Sequence, residues 1–313
     1  MPLSEEAKPA TPERPPAPVL SVLIVNYNAG DLLSEAVTAV LANALPLEVI
    51  VSDNGSADGS LEELEARHGN DPRLRVLRNG ANLGFAGGHN RALPLTRAPY
   101  LLFLNPDCIV GPETLTRLID FMAATPDAGM AGTIVRNPDG SEQQASRRRI
   151  PDPWVGLVRF LHLDRLWPNL LAGKRLNLMH APLPTRPLIV DAISGSLMLV
   201  RRQALEEVGP LDEGYFLHCE DLDWFVRFRN AGWPIYLVPI AEVRHHQGAC
   251  GVSRPFAVEW HKHKGMARFF RKFQFRDYPL PFSLLVLLGI WLHFGVFSLL
   301  EGGRRFLRLP RQG

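Results

Sequence analysis

The stretch Val19–Asn28, VLSVLIVNYN, is a short β-branched run that ends in polar residues. It predicts a buried strand that delivers polar side chains to a rim. The same pattern recurs twice downstream. LEVIVSDNGS starts at Leu47, and PYLLFLNPD starts at Pro99. Between these runs lie DLLSEAVTAVLAN and LEELEARHG, with apolar residues at helical spacing, and the short strand LRVLRN. AGGHNRALPLT reads as a loop entering a helix. Strand–helix alternation sustained over about 110 residues implies an α/β protein with a mostly parallel sheet flanked by helices. Right-handed crossovers place the strand C-termini on one edge, where such sheets bind ligands. The turns NYN, SDNGS and NPD therefore gather on one rim. Further on, residues 147–187 are rich in Arg, Pro and Trp and poorly periodic. LIVDAISGSLMLVRR then predicts a strand, Gln203–Val208 a helix, and PIYLVPIAEVRHH another strand.

Composition narrows the class. The 313 residues are 46% hydrophobic and 21% charged, as a globular chain with a sizeable core would be. A net charge of +2 disfavours nucleic acid as the partner. Three widely spaced cysteines, Cys108, Cys219 and Cys250, form no CxxC pair and suit a reduced compartment. Residues 1–18 are polar and proline-rich with no apolar h-region, which predicts a flexible tail rather than a signal peptide. Phe282–Leu300, by contrast, carries no Asp, Glu, Lys or Arg and nears the length of a membrane helix. Basic and aromatic residues before it suit an anionic membrane surface. Basic residues follow it too, so a spanning, re-entrant or in-plane helix all fit.

The chemistry-bearing residues sit on the predicted rim and on one helix start. Asp53, in SDNGSADGS, can accept hydrogen bonds from a base or ribose. The turn only partly mimics a calcium loop, since Leu64 stands where the final glutamate is needed. NLGFAGGHN, Asn82–Asn90, has three glycines that would let backbone N–H groups approach a phosphate. Asp107 ends the most hydrophobic strand, a costly place for a carboxylate unless a cation neutralises it. His245 suits Mn2+ or a similar metal. YFLHCEDLDW, Tyr215–Trp224, puts Glu220, Asp221 and Asp223 within four residues. A helix beginning at Glu220 would favour those charges through its dipole, and a general base could face the site from there.

Taken in order, VLIVNYN, VSDNGSADGS, NLGFAGGHN, LNPD, the SGS–LVRR segment, LDEGYF, the ED-x-D-x-x-x-R block and HHQGAC resemble the inverting family-2 glycosyltransferases of GT-A fold. The rhamnosyltransferase-like members that build bacterial surface polysaccharides are the nearest in pattern. The resemblance runs from about Ser21 to Ser253 and implies a donor site for a nucleotide-sugar. Tyr27 would flank its base and Asp53 would hydrogen-bond it, with Asn26, Asn28 and Asn54 also in the donor site. Asn82, Gly84, Phe85, Gly88, His89 and Asn90 would line the ribose and diphosphate. Asn105-Pro106-Asp107 stands where the family has its metal-binding DxD, with the first carboxylate replaced. Asp107 and His245 would then hold a divalent metal, Mg2+ or Mn2+, beside Asn105. Asp221 matches the catalytic base, with Glu220 orienting it and Asp223, Trp224 and Arg227 on the acceptor side. Cys250 stands where relatives often carry Ser and gets no role.

The processive members' Q-x-x-R-W motif is absent, which favours single-sugar addition. The expected product is a rhamnosylated saccharide or polyprenyl-linked acceptor, with dTDP-rhamnose as donor, made at the cytoplasmic face of the inner membrane. The expected boundaries are a tail, 1–18; a GT-A domain, 19–260, with a nucleotide-binding half, 19–130, and an acceptor half, 131–260; and a membrane-associating segment, 261–313. A metal-dependent hydrolase of a sugar nucleotide or phosphoester, using the same carboxylates with water as acceptor, is the competing reading.

Overall fold

A computed structural model describes residues 17–144, 146–160, 182–239, 243–246 and 255–308. The strands are β1 (Leu20–Asn26), β2 (Leu47–Asp53), β3 (Leu74–Arg78), β4 (Tyr100–Leu104), β5 (Cys108–Val110), β6 (Met130–Gly132), β7 (Val135–Arg136), β8 (Arg147–Arg148), β9 (Leu188–Ile189), β10 (Ala192–Ile193), β11 (Leu197–Arg201), β12 (Ile235–Leu237) and β13 (Val243–His245). The helices are α1 (Asp31–Leu41), α2 (Ser60–His68), α3 (Gly84–Ala92), α4 (Thr114–Ala124), α5 (Pro153–Phe160), α6 (Arg202–Val208), α7 (Glu220–Asn230), α8 (Pro255–Phe273) and α9 (Leu280–Arg308).

Eight strands form the main sheet in the order β3-β2-β1-β4-β11-β6-β12-β9. The first four run parallel, in a register that sets Asn26 beside Asp53. β11 is antiparallel to both β4 and β6. Alternation along each strand divides the core. Val22, Ile24, Leu102 and Leu104 pack on one face, against Leu33 and Val37 of α1 and Leu118 of α4. Leu23, Leu101 and Phe103 pack on the other, with Trp224, Phe225 and Phe228 of α7. The order reverses between β1 and β4, so a crevice opens beyond their C-terminal ends.

Two expected single strands are divided. LIVDAISGSLMLVRR supplies β9, β10 and β11, because each short piece pairs with a different partner. PIYLVPIAEVRHH supplies β12 in the main sheet and β13 in a small sheet, β5-β13-β7. That small sheet pairs His245 with Cys108, and His246 N–H donates to Asp107 O at 3.0 Å. The β8–β10 pair sets Arg148 opposite Ala192, just before Ser194-Gly195-Ser196. These two small pairings carry residues distant in sequence to the rim.

α8 and α9 form an antiparallel hairpin zipped by aromatic contacts: Phe256 with Phe297, and Trp260 with Trp291 and Phe294. Between them His263 Nε2 and His293 Nδ1 lie 2.9 Å apart. Leu280–Gly302 has a mean hydropathy of 2.1 and only 11% of its apolar window is buried, so it is long and apolar enough to cross a membrane. The Phe282–Leu300 expectation falls inside it.

Candidate active site

A cavity of about 2040 Å³ opens at the crevice and extends to the α8–α9 hairpin. Tyr27 and Asn28 after β1, Asn54 after β2, and Asn82, Gly84 and Phe85 line one part of it. Asn105, Asp107 and His245 line another, and Glu220 and Asp221 reach it from the start of α7.

The nucleotide-side turns are tied to each other. Asn54 Nδ2 donates to Gly84 O at 3.0 Å and to Asn82 Oδ1 at 3.3 Å. Phe85 N–H donates to Phe216 O at 2.9 Å, joining this loop to the segment that leads into α7. Gly84 sits at φ 76°, and a Cβ there would lie 2.3 Å from Phe216 O, so only glycine fits.

At the metal-type corner, hydrogen bonding fixes the tautomer of His245. Gln143 Nε2 donates to Asn137 Oδ1 and His245 O at 3.1 and 3.3 Å, so its Oε1 is the acceptor. His245 Nδ1 lies 2.6 Å from that Oε1 and must donate to it. In the neutral ring the Nε2 lone pair then faces Asp107 Oδ1 at 3.0 Å. Two acceptors so placed require a proton or a cation. Asn105 Nδ2 lies 3.3 Å from His245 Nε2, and Asn105 Oδ1 is buried with no hydrogen-bond partner among the described residues, so turning the amide over would bring an oxygen to the pair. This donor set fits a hard or borderline divalent cation. No group of three His, Cys, Asp or Glu side chains converges among the described residues, so further ligands would come from a diphosphate or water.

α7 begins under strain. His218 and Cys219 both take left-handed backbone angles, φ 68° and 71°, uncommon for residues with a Cβ and typical of functional corners. Glu220 Oε2 is buried without a partner among the described residues. Burial first, and the adjacent Asp221 charge second, push the Glu220 carboxyl up to about 8. Asp221 Oδ2 accepts from Arg148 Nη2, a short ion pair inside the cavity. Gly195 packs against that carboxylate; a Cβ there would lie 2.7 Å from Asp221 Oδ2.

Several expected site residues stand off the cavity. Asn26 Nδ2 donates to Asp53 Oδ1 at 2.9 Å, while Gly55 and Ser56 N–H groups donate to Asp53 Oδ2 at 3.0 and 3.2 Å. Both residues therefore lock the rim from beneath rather than lining it. The glycine stretch is mostly helix. Gly88 lies within α3, where a Cβ would meet Val25 Cγ1 at 2.7 Å, so it serves close packing of helix on sheet. His89 is fully buried between Phe85 and Phe103, and burial pushes it down to about 3. Asn90 bonds Leu211 O and Glu213 Oε1 at 2.8 and 2.9 Å.

The acceptor-side residues are also engaged inside the fold and do not line the cleft, although Trp224 stands only one helical turn from Asp221. Trp224 lies edge-on to Phe103 in the core, ring centroids 4.7 Å apart. Arg227 donates to Asp223 Oδ1 at 2.7 Å and to Pro210 O at 2.7 Å, stapling the α6–α7 connection. Asp223 is fully buried, and its other oxygen accepts from Lys272 of α8 at 2.6 Å. Lys272 also bonds Asp212 at 2.7 Å, and Arg268 bonds Asp212 at 2.9 Å. The carboxylate cluster is thus tolerated through one neutral acid, one arginine pair and one two-cation clamp.

Sequence reading missed Arg148, Gln143 and Gly195. The arginine run at 147–149 was the one available signal for the first. Cys250 lies outside the described residues, while Cys108 and Cys219 are buried free thiols pushed up by burial.

A nucleotide-sized rim, a cation-type corner and a carboxylate at a helix start define a glycosyltransferase of GT-A-like fold. Residues 21–209 match glycosyl transferase family 2, and the chain belongs to that family. More particularly, it is 32% identical over 301 residues to an N-acetylglucosaminyl-diphospho-decaprenol L-rhamnosyltransferase of Mycobacterium tuberculosis, covering 92% of this chain and 96% of that one. It is 26% identical over 254 residues to the rhamnosyltransferase WbbL of Escherichia coli K12, covering 77% and 88%. Among solved structures, the mannosyltransferase PcManGT from Pyrobaculum calidifontis, in complex with GDP-Man and Mn2+, superposes with a TM-score of 0.55 at 16% identity, over 94% and 82% of the two chains. GalNAc-T7 with UDP, GalNAc and Mn2+ gives 0.55 at 16% identity, over 74% of this chain and 44% of that one. At such identity these two support the fold alone. The family and fold expected from the ordered motifs are those found.

Proposed function

We propose that the protein transfers a single rhamnose from dTDP-rhamnose, with inversion, to a polyprenyl-linked saccharide at the cytoplasmic face of the membrane. The observation that carries this reading is Asp221, held at the start of α7 in the same cleft as Asn105, Asp107 and His245. Inverting transfer needs one carboxylate to take the proton from the acceptor hydroxyl as its oxygen attacks the anomeric carbon. Asp221 performs that step, with Arg148, another cleft-lining residue, paired to its Oδ2. A neutral Glu220 beside it avoids a second buried charge and keeps an O–H to donate to the acceptor.

Asp107 Oδ1 and His245 Nε2, joined by Asn105 Oδ1 once that amide is turned over, would hold Mg2+ or Mn2+, which when bound would neutralise the charge that grows on a departing nucleoside diphosphate. Gln143 keeps His245 Nε2 directed at that position. The Asn54–Asn82–Gly84 network holds the nucleotide side of the cleft closed against Phe216. The rhamnosyl and decaprenol-linked names of the relatives support the choice of sugar and acceptor.

The test is thermal denaturation of the full chain with dTDP, UDP and GDP, each with and without Mn2+. A ligand that binds only the folded state raises the melting temperature. The expected result is a Mn2+-dependent rise with dTDP. No rise with any nucleotide overturns the donor assignment. Full donor turnover without acceptor would identify a hydrolase instead.

A further inference from the structure

The cleft is larger than a nucleotide-sugar site requires and changes character along its length. Beyond the corner formed by His218 and Cys219 its walls are α5, α8 and α9. Val155, Val258, Met266, Phe269 and Phe270 make this half apolar. Leu285, Val286, Gly289, Ile290 and His293 of α9 line it over two helical turns, about 12 Å. Gly289 leaves a notch in this wall, because a Cβ there would meet nothing within 4 Å. Leu284, Leu288, Leu292 and Val296 form an exposed stripe beside the lining face, and Leu285 belongs to both. The apolar half is therefore continuous with the surface a bilayer would cover.

Where apolar and polar halves meet, cations collect. Lys262 of α8 and Arg148 both line the cleft, and the charges of both act on His218 and Cys219. His261 stacks on Phe216 with ring centroids 4.3 Å apart. Its Nδ1 is buried with no hydrogen-bond partner among the described residues. Glu259 pairs with Lys262 at 3.1 Å and also lines the cleft, which uses one of the three ammonium donors.

We propose that this second half of the cleft binds the acceptor's lipid diphosphate, with Lys262 and His261 on the diphosphate and the Gly289 notch receiving the first prenyl units. The proposal rests on the transferase reading above and adds which residues of this chain recognise the acceptor. Cation and imidazole donors suit a diphosphate. An apolar aisle open along α9 suits a chain that stays partly in the bilayer. Asp221, beyond the His218–Cys219 corner, then faces the sugar that the diphosphate carries.

The probe is farnesyl diphosphate, titrated into the full chain in detergent and read by tryptophan fluorescence, since Trp154, Trp260 and Trp291 contact α9 residues or belong to α9. Inorganic diphosphate and farnesol are the comparison arms. Saturable binding of farnesyl diphosphate is expected, with each comparison arm weaker by about tenfold or more. Gly289→Phe should weaken farnesyl diphosphate by about tenfold and leave inorganic diphosphate unchanged. Lys262→Ala should weaken both and leave farnesol unchanged. Both variants should melt like wild type and keep its nucleotide shift. Farnesol binding as tightly as farnesyl diphosphate would indicate partitioning and overturn the proposal, as would variants within twofold of wild type. Inorganic diphosphate matching farnesyl diphosphate would reduce the site to a free-phosphate pocket and also overturn it. A normal nucleotide shift with no farnesyl diphosphate binding defeats this site and spares the transferase. Binding without any nucleotide shift does the reverse.

Discussion

Gly195→Ala should disable the enzyme while barely disturbing its fold. The added methyl would stand 2.7 Å from Asp221 Oδ2 and 3.2 Å from its Cγ. Ordinary contact begins near 3.4 Å, so the carboxylate must withdraw by about 0.7 Å. The carboxylate can turn aside, against the Arg148 pair on Oδ2 and the Leu222 N–H that donates to Oδ1 at 2.7 Å. An off-rotamer Asp221 costs about 1 kcal/mol, which lowers the melting temperature by roughly 3 °C in a domain of this size. The catalytic cost is larger. A base displaced by close to 1 Å loses about a hundredfold in rate, or roughly 2.7 kcal/mol of transition-state stabilisation. Withdrawal also loosens the Arg148 contact to the carboxylate. The assay is initial-rate transfer at saturating donor and acceptor, alongside a nucleotide melting shift. The expected result is a hundredfold lower kcat with an unchanged nucleotide shift. A kcat within about threefold of wild type, in a protein that melts normally, would refute Asp221 as the positioned base. Gly302→Ala, whose Cβ meets nothing within 4 Å, is the control and should leave kcat unchanged.

Three more outcomes are expected. Gln143→Ala removes the acceptor that orients His245, so half-saturating Mn2+ in the melting-shift assay should rise about tenfold to a hundredfold. Asp223→Asn weakens the buried clamp to Arg227 and Lys272 at a cost of about 3 kcal/mol, a drop of roughly 8 °C. Its acceptor KM should not move; a raised KM at an unchanged melting temperature would restore Asp223 as an acceptor contact. The Glu220 carboxyl is raised from 4.5 to about 8, so it contributes stability below pH 4.5 that is lost as pH rises to about 8. Glu220→Gln, which stays neutral, should therefore gain melting temperature relative to wild type as buffers go from pH 5 to 9. A difference that is flat with pH would contradict the burial of that carboxyl.

The parallel half of the fold was legible because its signal is local. VLSVLIVN, LEVIVSD and YLLFL are apolar on both faces of the sheet, and each ends in a polar turn. The short strands were not, since two-residue pieces such as Arg147–Arg148 and Ala192–Ile193 exist only through their partners. The same limit applies to the site. Asp221 could be found from a helix start, but Arg148 reaches it only through the β8–β10 pairing. His89 and Asn90 misled because glycines that suggest a phosphate loop also allow a helix to press on a strand, as Gly88 does on Val25. Trp224 shares a motif with Asp221 and stands one turn along the same helix, yet its indole is buried in the core, while Arg227, six positions on, bonds Asp223.

Lys272 bonds both Asp212 and Asp223, and so ties the helix that carries Asp221 to the helix that packs against α9. If α9 lies in or on a bilayer as proposed, this tie would set the height of the proposed base above the lipid surface. An acceptor hydroxyl must then come to that height, and a glycan one sugar longer would lift its terminal hydroxyl past the base. The enzyme would select acceptors by length, as a fixed gauge does, with no pocket needed to count their sugars.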